Sequence, residues 1–174
     1  MKLYVVRHGE TAYNVKNLIC GVSDVELTAL GRQQAIEIHD EINNIKFDKI
    51  LVSPLKRAIE TCELITDQDY IIEQRLIEVN FGIFEGQSRT NQEFQSIKYN
   101  LGKRYPEGET FLEVIHRIYS LLDELKESNL DTILLVCHGA VMRAIHSYFN
   151  ELTNDEMYKL TSKNCEIKVY YFKK

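Results

Sequence analysis

Apolar and polar positions along this 174-residue chain follow two periods. Short unbroken apolar runs fall at 3–6, 49–52 and 132–137, each rich in β-branched or aromatic residues. Runs of that length and composition predict buried strands. The third, Thr132 to Cys137 around Ile133-Leu134-Leu135-Val136, has the character of a central parallel strand. A weaker strand is predicted at 69–73, and the partial alternation over 166–172 predicts a less buried one. Between these runs the period changes. Phe111, Val114, Ile115, Ile118, Leu121, Leu122 and Leu125 recur at the three-and-four spacing of an amphipathic helix over 109–126. Thr28 is placed to cap a helix over 28–43 whose apolar face is Leu30, Ile38 and Ile42, with Ile45 just beyond. Further helices are predicted at 54–65, with Pro54 in the first turn and Arg57 close behind, at 140–150 and at 154–160. Weaker helical stretches cover 11–15 and 91–100, and 76–88 reads as a glycine-rich, acidic loop with some strand character.

Strands alternating with helices imply βαβ units. The expected fold is therefore α/β, a three-layer α/β/α sandwich whose central sheet is mostly parallel with helices on both faces. No repeat, linker or low-complexity tract divides it, so residues 1–174 are expected to form one domain.

Composition narrows the function classes. A formal net charge of −5 gives no reason to expect nucleic-acid or acidic-membrane binding, so a local cluster of Arg and His would stand out as a site. No apolar run approaches the roughly 20 residues that span a bilayer. Cys20, Cys62, Cys137 and Cys165 form no C-x-x-C pair, and no secretory pattern precedes the first strand, so a cytoplasmic protein with reduced thiols is expected. Monomer and dimer are both compatible with the sequence.

The chemistry lies at strand ends. Arg7-His8-Gly9-Glu10-Thr11 follows the first strand, Ser53 to Arg57 the second, and His138-Gly139 the long one. In a parallel sheet these ends share one edge, where ligands of open α/β sheets bind. Two arginines and two histidines converging there suit a phosphate dianion, because arginine presents a rigid fork of donors to its oxygens. Arg57 near a helix N-terminus would add the helix dipole.

The same pieces resemble the histidine phosphatase superfamily, which includes the phosphoglycerate mutases. The resemblance runs from Leu3 to Asn14 (LYVVRHGETAYN) through Gly21-Val22-Ser23-Asp24, Leu27-Thr28 and Gly31 to Ser53-Pro54-Leu55-Lys56-Arg57-Ala58 with Thr61. It continues in Leu76 to Gly82 with Glu85-Gly86, in Pro106-Glu107-Gly108-Glu109 with Arg117, and in Val136-Cys137-His138-Gly139. The ordered set spans nearly the whole chain. It implies a single catalytic machinery that needs no metal and no cofactor: His8 receives the phosphoryl group, while Arg7, Arg57 and His138 hold its oxygens. Glu78 acts as acid and then base, and Asn14 is a secondary donor. Gly21 and Gly139 are expected beside the substrate. Each residue type fits its role. A neutral imidazole nitrogen can attack phosphorus, positioned cations stabilise the charge that spreads over the equatorial oxygens, and Glu78 must carry a proton to protonate the leaving alcohol. His138 is expected to be protonated so that it can donate to an oxyanion.

Other readings compete. Spacing alone does not choose among Glu73, Glu78 and Glu85; the resemblance points to Glu78. His39, His116 and His146 lie on predicted helices without motif context and read as structural. Cys137 to Arg143 fits C-x5-R, the phosphate loop of cysteine-dependent phosphatases, and that reading makes Cys137 the nucleophile. It leaves Arg7, His8 and Arg57 unexplained. Between hydrolysis of a small phosphomonoester and mutase-type transfer, the sequence favours hydrolysis. Only 83–135 separates the Glu78 motif from His138, and Ile83-Phe84-Glu85-Gly86 is closer to the family's phosphatases. Val52, Phe84 and Glu26 depart from common family residues without removing a catalytic group. A phosphate-binding module without catalysis is the non-enzymatic alternative. Residues 87–105 are expected to form a variable cap in which Arg89, Lys98, Lys103 or Arg104 meets a second anionic group.

Overall fold

A computed structural model describes residues 1–173. Five strands form one sheet in the order β3-β2-β4-β1-β5. They are β1 (Lys2–Arg7), β2 (Lys49–Val52), β3 (Ile71–Ile72), β4 (Thr132–Cys137) and β5 (Ile167–Tyr171). All pairings are parallel except β1 with β5. The helices are α1 (Ala12–Val15), α2 (Ala29–Glu37), α3 (His39–Asn43), α4 (Lys56–Ile65), α5 (Gln92–Lys98), α6 (Phe111–Lys126), α7 (Gly139–Phe149) and α8 (Asn154–Lys159).

The period-2 geometry of a strand sends successive side chains to opposite faces, and the central strands use both. Leu3, Val5, Leu51, Ile133 and Leu135 bury one face against α6 and α7. Tyr4, Val6, Ile50, Val52, Leu134 and Val136 bury the other against α2, α3 and α4. This is the expected three-layer sandwich, with an apolar core on each side of the sheet.

Three predicted elements differ in detail. The 28–43 helix is broken at Ile38, whose φ of −98° and ψ of 3° end α2 and begin α3. Its first turn meets the chain through Gly31 rather than Leu30, which is 55% exposed. Backbone contact explains this: a Cβ on Gly31 would lie 2.1 Å from the Glu10 carbonyl oxygen. Breaking the helix then turns Ile42 into the core. Pro54 lies before α4, not in its first turn. Leu55 is the cap residue with extended backbone, and the Asp24 carboxylate, from a remote loop, takes the Lys56 N–H at 2.8 Å. The strand predicted at 69–73 shrinks to the two exposed residues of β3, because only Leu51 and Val52 offer it a partner. A short 3₁₀ turn, Gln74–Leu76, leads into the loop 76–88, and a second, Gly82–Phe84, lies within it.

Candidate active site

Register builds the site. β1 pairs with β4 so that Arg7 lies beside Cys137, and β2 pairs with β4 so that Val52 lies beside Val136. The next residue on each strand is therefore His8, His138 or Ser53, all at one sheet edge. The His8 and His138 ring centroids are 5.1 Å apart with the planes tilted by 53°.

His8 is 4% exposed, and its Nδ1 lies 2.7 Å from the Gly9 carbonyl oxygen. A carbonyl only accepts, so Nδ1 carries the hydrogen and Nε2 keeps its lone pair. Burial, then the Arg57 and Arg7 charges, hold His8 well below the ordinary histidine range, so the ring is neutral at pH 7. The backbone around it is fixed from several sides. Gly9 donates its N–H to Thr61 Oγ1 at 3.0 Å, and Asn164 Nδ2 donates to the His8 carbonyl at 2.9 Å.

His138 Nε2 is 2.6 Å from Ser53 Oγ, and its Nδ1 is buried without a partner. Burial first, then Arg57, His8 and Arg7, push its pKa well down as well. With no anion in the site, burial and the nearby arginine charges favour the neutral form, so the protonated His138 expected from sequence depends on the charge of an incoming phosphate.

Both site arginines have a donor to spare. Arg57 is fully buried; Nη1 and Nη2 donate to the Ser23 and Gly21 carbonyls at 2.8 and 2.7 Å, while its Nε has no partner. Arg7 donates through Nη1 to the Ser162 carbonyl, and its Nε is also buried without a partner. Gly21, expected beside the substrate, instead stands behind Arg57 as one of its anchors. Its own lack of a side chain matters, since a Cβ would lie 2.1 Å from the Val79 carbonyl oxygen.

Glu78 is 6% exposed on the cavity wall. Its oxygens accept from the Val79 N–H at 3.0 Å and from the Ala140 N–H, in the first turn of α7, at 3.1 Å. Arg117 holds the backbone around it by donating to the Arg75 and Glu78 carbonyls, and it pairs with Glu109 at 3.2 Å. Asn14 also lines the cavity. Its Oδ1 is engaged by Thr11 as part of the α1 capping box, so Oδ1 is not free for a ligand.

The cavity has a volume of about 270 Å³. Arg7, His8, Asn14, Glu78 and Gly139 line its wall, whereas Arg57 and His138 are fully buried and do not reach it. Of the four cap cations named from sequence, Arg89 and Lys98 reach it; Arg104 instead pairs with Glu113 at 2.6 Å and Lys103 is exposed. Sequence reasoning missed Tyr158, Ser162 and Asn164, which come from α8 and the segment after it and carry no motif. It also missed the part played by Glu85. That carboxylate accepts from the N–H groups of Gly21, Val22, Ser23 and Phe81 at 3.3, 2.8, 2.8 and 3.3 Å, and from the Ser23 hydroxyl. It thereby holds the loop whose carbonyls hold Arg57.

Cys137 is no nucleophile in this geometry. It is fully buried in the core under α6 and α7, and burial pushes its thiol far up from the usual range. His39 and His146 bond the Leu64 carbonyl and the Tyr170 hydroxyl, and His116 is exposed.

Comparison with known proteins identifies the family and the fold. The family model of the histidine phosphatase superfamily (branch 1) matches residues 3–174. The "probable phosphoglycerate mutase GpmB" of Shigella boydii is 31% identical over 178 residues, covering 96% of this chain and 83% of that protein. Among solved structures, the alpha-ribazole phosphatase from Shigella flexneri superposes with a TM-score of 0.83 at 26% identity, covering 97% of this chain and 89% of that one. A histidine-to-alanine mutant of phosphoserine phosphatase from Entamoeba histolytica, in complex with phosphoserine, gives 0.85 at 30% identity, covering 99% and 91%.

Proposed function

The chain belongs to the histidine phosphatase superfamily, and on that premise we propose that it is a phosphomonoesterase that passes the phosphoryl group through His8 without a metal ion. The observation that carries this reading is the 2.7 Å bond between His8 Nδ1 and the Gly9 carbonyl, which leaves Nε2 unprotonated.

In the first step Nε2 attacks phosphorus. The P–N bond forms, the P–O ester bond breaks, and Glu78 gives its proton to the departing alkoxide. In the second, Glu78 takes a proton from water, the hydroxide attacks phosphorus, and the P–N bond breaks to release inorganic phosphate. Arg7 and Arg57 supply positive charge to the transferring oxygens, and Arg7, on the cavity wall, has an unpartnered Nε–H to donate. His138 joins them once the ester's charge has offset the two arginines. A cavity of about 270 Å³ suits a small phosphorylated metabolite, and the net charge of −5 speaks against a nucleic-acid substrate. Four unpaired, buried cysteines accord with a reducing, cytoplasmic setting.

A second reading, transfer between two positions of one substrate, draws on the likeness to a probable phosphoglycerate mutase. The test for both is a screen of phosphorylated metabolites with EDTA present. The wild-type chain should release phosphate, and His8→Ala should lose about 10⁴-fold or more in kcat. A requirement for added metal would sink the mechanism, and isomerisation of 3-phosphoglycerate faster than any hydrolysis would replace phosphatase by mutase.

A further inference from the structure

The cavity holds more positive charge than one phosphate uses. Beyond Arg7, which belongs to the phosphate end with His8, its wall includes Arg89, Lys98 and Arg143, and Glu78 is the wall's only acidic residue. That excess stands out in a chain with 26 acidic and 21 basic residues. Among the described residues the side chains of Lys98 and Arg143 make no hydrogen bond and no ion pair; Arg143 lies over the Phe111 ring at 5.3 Å and Lys98 over the Tyr99 ring at 5.5 Å. Removing a cation from water without a partner is costly. Burial is the largest cause lowering the pKa of both groups; Lys98 also feels the Arg143 and Arg89 charges, whereas on Arg143 the pull of Glu78 exceeds the push of Arg89. Two neutral donors on the same wall, the Tyr158 hydroxyl and the Ser162 hydroxyl, are buried without a partner. Three cations and two unsatisfied hydroxyls around one space are the complement of an anion's oxygens.

We propose that Arg143, Lys98 and Arg89, with the Tyr158 hydroxyl, form a second anion subsite, so that the preferred substrate is a phosphomonoester carrying a second anionic group, a carboxylate or a further phosphate. The inference rests on the phosphatase reading and specifies its substrate class. Arg143 stands one turn along α7 from Gly139, so the helix that places the phosphate end also sets the separation of the two anionic groups. Its guanidinium fork suits two oxygens of one acid group, and Lys98 adds a point charge from the end of α5.

Binding to the His8→Ala protein separates this subsite from turnover. By titration calorimetry, 3-phosphoglycerate and glycerol 1,3-bisphosphate are compared with glycerol 3-phosphate, which has similar size but no second anionic group. At least one of the first two should bind about tenfold tighter or more, and which one does identifies the group. Arg143→Met and Lys98→Met should each collapse that ratio toward one, and Arg143→Lys should restore part of it. Lys98→Met, at a half-buried surface position, keeps the test sound should Arg143→Met destabilise the fold. Equal binding of all three esters, or equal weakening of all three in both variants, overturns the subsite. Failure of wild-type protein to hydrolyse any of them, with the binding ratio intact, overturns the phosphatase reading and spares the subsite.

Discussion

Burial first, and then the charges of Arg57 and Arg7, lower the pKa of both His8 and His138, and that has a consequence for stability. Both have folded-state pKa values below the ordinary value near 6.5. The unfolded chain therefore binds more protons as pH falls through that value, and stability rises with pH up to it and is lost below it. The melting temperature should fall as pH is lowered below about 6.5, at about 1.4 kcal/mol per pH unit for each histidine that stays neutral. The slope should flatten in His138→Gln, measured by thermal melts across pH; an unchanged slope would show that other groups carry the acid limb. A second residue-scale expectation concerns Cys137. Cys137→Ala should keep kcat/KM within about twofold while costing about 1 kcal/mol from the core, and loss of activity would reinstate the thiol. His8 and His138 were legible in sequence because each directly follows an apolar strand run, and Arg57 because it follows Ser53-Pro54 after the second such run. Tyr158, Ser162 and Asn164 were not, because a tertiary contact from the far end of the chain places them, and no local period records it.

At the scale of elements, the loop 21–23 behaves as a part suspended between two side chains. Glu85 holds its N–H groups, and its carbonyls hold Arg57. Glu85 is therefore a positioning residue rather than a catalytic one. Glu85→Ala should lower kcat/KM by about 10²-fold, since a misplacement near 1 Å is enough for that. It should also weaken inhibition by inorganic phosphate, which a merely destabilised variant assayed below its melting temperature would not do. A phosphate inhibition constant equal to wild type would remove Glu85 from this role. Helix α6 was plain in the sequence because seven apolar positions recur at helical spacing, six of which the structure buries; the capping box of Thr110 and Glu113 at its start is a feature the sequence reading did not use. The break at Ile38 was not, since neither Pro nor Gly marks it; it is set by Gly31 against Glu10 and by Ile42 against the sheet.

The whole molecule is acidic, yet its cavity is cationic. Long-range attraction of an anionic ester is absent, and the attraction that exists acts at contact, where salt screens little. Raising ionic strength from about 0.01 to about 1 M, which shortens the screening length from about 30 to about 3 Å, should raise KM for a dianionic ester by less than about tenfold. A hundredfold rise in a salt titration would point to surface steering instead. The sandwich itself was readable because each central strand is apolar on both faces, whereas the strand order 3-2-4-1-5 was not, as no side-chain pattern names a strand's neighbour.

That order fixes when the pocket can come into being. β1 lies between β4 and β5, so Lys2 pairs with Thr132 on one side and Tyr171 on the other. The strand that carries His8 leaves the ribosome ahead of both its neighbours, and until they follow it has no sheet to join. A nascent chain halted before residue 132 would thus expose Leu3 to Val6 along both edges, as a ready target for chaperones. Assembly of the sheet around the nucleophile's strand is expected to wait for β4 and β5, so that a strand made before both is among the last to be paired.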